Sequence, residues 1–251
     1  MTELVYLTDV ESAYVREFRA RIAALPPGAV VLDRTFFYPT GGGQPNDRGT
    51  LGLSGGGRLD VVDVTKSGPS VLHRVRGPPT ALRQLSVGEE VEGALDWDRR
   101  YRHMRLHTGQ HFLSARIFAR TGLRTRKAKL AGTAASLDLE GPLPPTVVPE
   151  LAEDFAEAVR HPRPVTLRHI ARAEWDRNPY AERTGLVPLP AHVDPVRVVE
   201  IEASDVCPCG GTHLRTTGEI GAVTLSAPVP TDGGDRISFS LGDPSRATPT
   251  G

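Results

Sequence analysis

Asp96-Trp97-Asp98-Arg99-Arg100-Tyr101-Arg102-His103-Met104-Arg105-Leu106-His107-Thr108-Gly109-Gln110-His111-Phe112-Leu113-Ser114-Ala115-Arg116-Ile117-Phe118-Ala119-Arg120-Thr121-Gly122 is where the sequence changes its period. Tyr101, Met104, Thr108, His111, Ala115 and Phe118 fall at alternating steps of three and four, which is one face of an α-helix. Asp96 and Asp98 both suit its N-cap and Gly122 its stop. Upstream, from Ala29 to Asp96, short β-branched runs alternate with glycine: Val30-Val31-Leu32, Leu59 to Val64, Val71 to Val75 and Val91 to Leu95. Such runs predict a small β-barrel. Downstream, Pro149 suits the first turn of a second helix, with Leu151, Phe155 and Val159 on one face and Glu150, Glu153 and Asp154 at its positive end. Strands are expected at 165–170, 198–202, 222–225 and 236–241, and a proline-rich loop at 141–149. The fold class is therefore α+β, with a barrel over residues 1–95 and a sheet carrying helices over residues 96–251.

A chain of 251 residues is long enough for two such modules, and 39% hydrophobic with 24% charged residues is a globular balance. Thirty Lys and Arg cancel thirty Asp and Glu, so a nucleic-acid partner would have to be held by a local basic patch. The start, Met1-Thr2-Glu3-Leu4, has no basic segment followed by an apolar run, and no window of 18 apolar residues occurs. A cytoplasmic chain with no membrane partner is expected, and no motif advertises a protein partner.

His107 and His111 are four residues apart on the helix and project from one face about a turn apart, so both can reach one ion. Cys209-Gly210-Gly211-Thr212-His213 supplies a thiolate and an imidazole around a double glycine that can fold back to aim both at one point. The four make a tetrahedral nitrogen and sulfur set suited to one zinc ion per chain. Cys207 competes as the sulfur, but Cys209 has the same four-residue step to His213 that His107 has to His111. A Cys-x-Cys spacing is a poor one for a mutual disulfide. Four protein ligands are the mark of a structural zinc, whereas a hydrolytic one keeps a position open, and the sequence does not choose between them.

Leu106 to His111, Asp205-Val206-Cys207-Pro208-Cys209-Gly210-Gly211-Thr212-His213 and Thr217-Gly218-Glu219-Ile220-Gly221 together resemble the editing domain of alanyl-tRNA synthetase and its freestanding AlaX relatives. Phe37 to Gly49 contains Gly41-Gly42-Gly43-Gln44-Pro45, similar to the glycine-rich motif of the barrel that accompanies those domains. The resemblance covers most of the chain. It implies an editing domain with a mainly antiparallel sheet joined to a barrel, zinc on His107, His111, Cys209 and His213, and hydrolysis of the ester between a wrong amino acid and tRNA for alanine. Nothing resembles the synthetase's aminoacylation domain. The chain departs from the pattern at Arg126-Lys127-Ala128-Lys129, where related domains often carry Gln or His.

The expected substrate is mischarged tRNA for alanine, mainly the seryl and secondarily the glycyl ester. Serine differs from alanine by one hydroxyl, which an apolar pocket rejects weakly, so a second hydrolytic site that hydrogen-bonds the hydroxyl is the physical remedy. Thr108, next to the first ligand, is the candidate for that contact. Arg120, Arg124, Arg126, Lys127 and Lys129 are candidates for acceptor-stem phosphates. The alternatives are editing of seryl-tRNA for threonine, whose synthetase carries a similar ligand pattern, and a zinc module that binds tRNA without catalysis.

Overall fold

The computed structural model describes residues 1–183, 189–190 and 192–242. The chain divides into two compact units, Met1–His103 and Met104–Gly251, so the division falls later than residues 95 and 96. The first turns of the long helix, Trp97–Thr121, belong to the first unit because Arg100 is wholly buried there.

In the first unit six strands close into a barrel, in the order Glu17–Ala24, Ala29–Leu32, Ser70–Arg76, Arg58–Ser67, Gly49–Leu53, Glu90–Leu95. All its pairings are antiparallel. Alternate residues point inward. Phe18, Ala20 and Ile22 from Glu17–Ala24 meet Val30, Leu51, Leu59 and Val91 in an apolar cluster. The strand Glu17–Ala24 was not among those expected from composition, although it alternates from Glu17 to Ile22, with Glu17, Arg19 and Arg21 outward and charged.

The glycine-rich segment is a tight turn. Gly41 and Gln44 exchange backbone hydrogen bonds at 3.1 and 2.9 Å, and Gly42 and Gly43 sit at φ of 54° and 82°. Two consecutive left-handed residues are the requirement of a mirror-image turn, which explains glycine at both. The Tyr38 hydroxyl donates to the Gly41 carbonyl at 2.8 Å, and the base of the loop is closed by Tyr38 N–H to the Asp47 carboxylate at 2.7 Å. Asp47 is itself buried and paired with the guanidinium of Arg100, whose remaining N–H groups reach the carbonyls of Ala13 and Phe36.

The second unit has two sheets, both antiparallel. One runs Val223–Leu225, Gly234–Leu241, Ala134–Leu139, Thr125–Ala131, with Val229–Thr231 also paired to Gly234–Leu241. The other is Val165–Ile170, Val196–Ile201, Asp205–Pro208. The helix Val148–Arg160 buries Leu151, Phe155 and Ala158, with Val159 only half-buried, so the stripe runs through Ala158 rather than Val159. Phe155 packs on Phe112 and Phe239 at ring separations of 5.1 and 5.5 Å.

The long helix differs most from its sequence reading. Its expected single apolar face is replaced by burial on every side from His103 to Ala115, polar residues included. Asp96 caps it, accepting the Arg99 N–H at 3.1 Å, and Gly122, at φ of 72°, stops it with its N–H on the Phe118 carbonyl. Gly109 is needed in mid-helix because a Cβ there would stand 2.8 Å from the Phe239 ring.

Candidate metal centre

His107 and His111 enter the second unit on the buried middle of the long helix, with ring centroids 5.1 Å apart. His213 joins them at 4.3 Å from His107 and 4.7 Å from His111. The loop that carries it begins at the end of the strand Asp205–Pro208 and is tied at both ends. Arg197 donates to the Cys209 carbonyl and accepts the Cys209 N–H at 3.2 Å through its own carbonyl, and the Leu214 N–H is bound to the Thr108 hydroxyl at 3.0 Å. Neither Gly210 nor Gly211 has a positive φ, so these hydrogen bonds hold the return of the loop, and no left-handed turn at the double glycine is involved.

Cys209 Sγ lies 3.5 Å from His107 Nε2 and 3.3 Å from His213 Nε2, and the ligand atoms of His107, His111, Cys209 and His213 all fall within 4.8 Å of one another. A tetrahedral zinc with bonds of about 2.3 Å to sulfur and about 2.05 Å to nitrogen has a sulfur to nitrogen edge of about 3.6 Å. The donor set therefore fits such an ion in both chemistry and spacing. Cys207 stands elsewhere: buried on the strand opposite Val199, it groups with Asp205 and His111 alone. Cys209 is partly exposed, whereas His107 and His213 are buried.

The charges are arranged for a thiolate. Burial opposes ionisation of Cys209, but the imidazoles of His107, His213 and His111 together hold it well below the usual thiol range. Burial alone would lower His111 too; the Cys209 thiolate and Asp205 outweigh it and push the imidazole up to about 9. His213, desolvated and facing His107, is pushed down to about 3.

The imidazoles of His111 and His213 are held from behind. His111 Nδ1 is 3.0 Å from the buried carboxylate of Asp205, and His213 Nδ1 is 3.2 Å from the fully buried Thr108 hydroxyl. Asp205 was not among the residues picked out in the sequence. Its place two before the buried Cys207 puts it on that residue's face of the strand Asp205–Pro208, a strand that the sequence reading did not predict.

The basic candidates are dispersed in role. Arg120 is paired with Asp154 at 2.7 Å and with Glu150, Arg124 with Glu140 at 2.7 Å, and Arg126 donates to the Asp232 carbonyl. Lys127 and Lys129 are exposed on the strand Thr125–Ala131 and have no ion pair among the described residues.

His107, His111, Cys209 and His213 thus form a donor group that could hold a metal ion, in an antiparallel α+β unit that follows a closed barrel along the chain. Residues 7–99 match the model of class II (A) tRNA synthetases, and residues 196–239 match that of the threonyl and alanyl tRNA synthetase second additional domain. The alanyl-tRNA editing protein AlaX-M of Methanosarcina acetivorans is 34% identical over 235 residues, covering 90% of this chain and 92% of that protein. That of Saccharolobus solfataricus is 33% identical over 230 residues, covering 90% and 92%. The alanine–tRNA ligase of Pyrococcus abyssi is 36% identical over 241 residues, which is 93% of this chain but 25% of the ligase, so the chain spans about a quarter of that enzyme's length. The chain belongs to the AlaX-M family of alanyl-tRNA editing proteins.

Proposed function

We propose that this chain deacylates tRNA for alanine that has been wrongly charged with serine, and secondarily with glycine, using one zinc ion held by His107, His111, Cys209 and His213. The observation that carries the reading is the convergence of Cys209 Sγ on two imidazole Nε2 atoms at 3.3 and 3.5 Å, in a chain whose relatives over nine-tenths of its length are alanyl-tRNA editing proteins. Zinc bound there would supply a Lewis acid able to orient or polarise a substrate oxygen. The protein supplies the rest. Buried imidazoles and the loop 209–214 fix the donors, and the partly exposed Cys209 marks the side open to a ligand. Lys127 and Lys129, exposed and without an ion-pair partner among the described residues, are better placed for tRNA phosphates than Arg120 and Arg124, which their carboxylates already neutralise. A cytoplasmic location goes with this substrate, and no helix among the described residues is long and apolar enough to cross a membrane.

The test is deacylation by the purified protein of seryl, glycyl and alanyl esters of tRNA for alanine, with seryl-tRNA for threonine alongside. Hydrolysis of the seryl ester on the alanine tRNA, with the alanyl ester spared, is expected. Preference for the threonine tRNA would move the chain to the other editing system. A second reading, a zinc module that binds tRNA without catalysis, is favoured by the complete set of four protein ligands. Tight tRNA binding with no deacylation would establish it.

Thr108 is the proposed contact for the serine hydroxyl. Metal on His213 Nε2 leaves the proton on Nδ1, so Thr108 Oγ1 then accepts from both His213 and the Leu214 N–H. Its own O–H proton is what remains to offer. Thr108→Val should lower kcat/KM for the seryl ester by about 0.5 to 1.5 kcal/mol, roughly 2- to 13-fold, and leave the alanyl ester little changed. Loss of metal with discrimination intact would assign the hydroxyl to His213 alone.

A further inference from the structure

We infer that Asp205 is a positioning residue of this centre, holding His111 so that Nδ1 carries the proton and Nε2 is the atom presented to the metal. The inference rests on reading the four-residue cluster as a metal site.

A neutral imidazole has one N–H and one lone pair, and either nitrogen can take either role. What decides is the partner of the nitrogen that faces away from the ion. For His111 that partner is the Asp205 carboxylate, 3.0 Å from Nδ1 and only able to accept when ionised. The Nδ1 atom must then donate, which leaves the Nε2 lone pair for the ion and fixes the plane of the ring. Asp205 is 1% exposed and stands opposite Ile201 on the strand pair Val196–Ile201 and Asp205–Pro208. Burying a carboxylate is costly unless it is well hydrogen-bonded, so its placement against a ligand imidazole is not incidental packing.

The register adds a second reason. Asp205 and Cys207 lie two apart on one strand and so on one face, and the donor atoms of both come within 4.8 Å of those of His111. His111 thus has two sulfur atoms near it, that of Cys207 in one group and that of Cys209 in the other. The hydrogen bond from Nδ1 to Asp205 occupies that nitrogen and leaves Nε2 for the cluster containing Cys209. His213 has the neutral counterpart in Thr108, which is an acceptor or a donor as needed and therefore does not force the tautomer by itself.

The test is zinc affinity by chelator competition, with the absorption spectrum of the cobalt-loaded protein as a readout of ligand geometry. Parent, Asp205→Asn and Asp205→Ala are compared after circular dichroism shows which are folded. Asp205→Ala should bind zinc about 10- to 100-fold more weakly and shift the cobalt spectrum. Asp205→Asn keeps an acceptor oxygen and should fall between it and the parent. If Asp205→Ala unfolds, Asp205→Asn alone carries the test. Parent-like affinity and spectrum in the folded variants would overturn the inference while leaving the metal site standing. A parent that takes up no metal would overturn the site itself.

Discussion

Cys209→Ala is expected to strip the protein of its metal, while Cys207→Ala retains it. Cys209 Sγ is the atom on which His107 and His213 converge, at 3.5 and 3.3 Å, and the surrounding imidazoles favour its ionised form. Without it the set drops to three nitrogens and loses its one anionic donor. The loss should exceed the roughly 10- to 100-fold expected for an outer partner. Cys207 groups with Asp205 and His111 and is not one of the four converging donors, so its replacement removes a small buried side chain and none of that set. Elemental analysis of the two purified variants decides it. Metal retained in Cys209→Ala and lost in Cys207→Ala would transfer the sulfur ligand to Cys207.

The second large effect is expected at Arg100. Its side chain and that of Asp47 are wholly buried, and the guanidinium also satisfies the carbonyls of Ala13 and Phe36. Replacing one member leaves the other as an uncompensated charge in the core, a change of about 3 to 5 kcal/mol, whereas replacing both by apolar residues is often close to neutral. Arg100→Met and Asp47→Leu should each lower the unfolding midpoint of the first unit, and the double variant should recover much of the loss. Trp97 lies in that unit and Trp175 in the other, so tryptophan fluorescence in a Trp175→Phe background follows the first unit in urea. Additive losses in the double variant would mean that the two side chains do not act as a pair. Asp47 also closes the glycine-rich turn through Tyr38, so the single variants are expected to loosen that turn as well.

Much of this architecture is legible in local pattern. The step of four between His107 and His111 is meaningful only on a helix, and the helix is there with the cap and stop that Asp96 and Gly122 suggested. The glycine-punctuated β-branched runs mark four of the six barrel strands. What escaped were features whose cause lies far away in sequence. The burial of Arg100 depends on Asp47 and Phe36, and that of Arg105 on the Ile220 carbonyl at 2.9 Å, so neither looks like an interior residue in its own neighbourhood. Arg126, Lys127 and Lys129, offered as phosphate contacts, lie on an edge strand, where lysine and arginine also discourage pairing with another chain. Within the centre, the convergence of the four donors followed from residue type and spacing. Asp205 did not, because a carboxylate beside a cysteine motif is silent until the register of its strand is known.

The most direct test of the account is seryl-tRNA deacylation before and after removal of metal. Protein freed of metal by chelation, and shown by circular dichroism to remain folded, should lose hydrolysis of seryl-tRNA for alanine and regain it on addition of one equivalent of zinc per chain. Deacylation by the folded, metal-free protein at the rate of the zinc-loaded one would contradict the claim that His107, His111, Cys209 and His213 form the working centre.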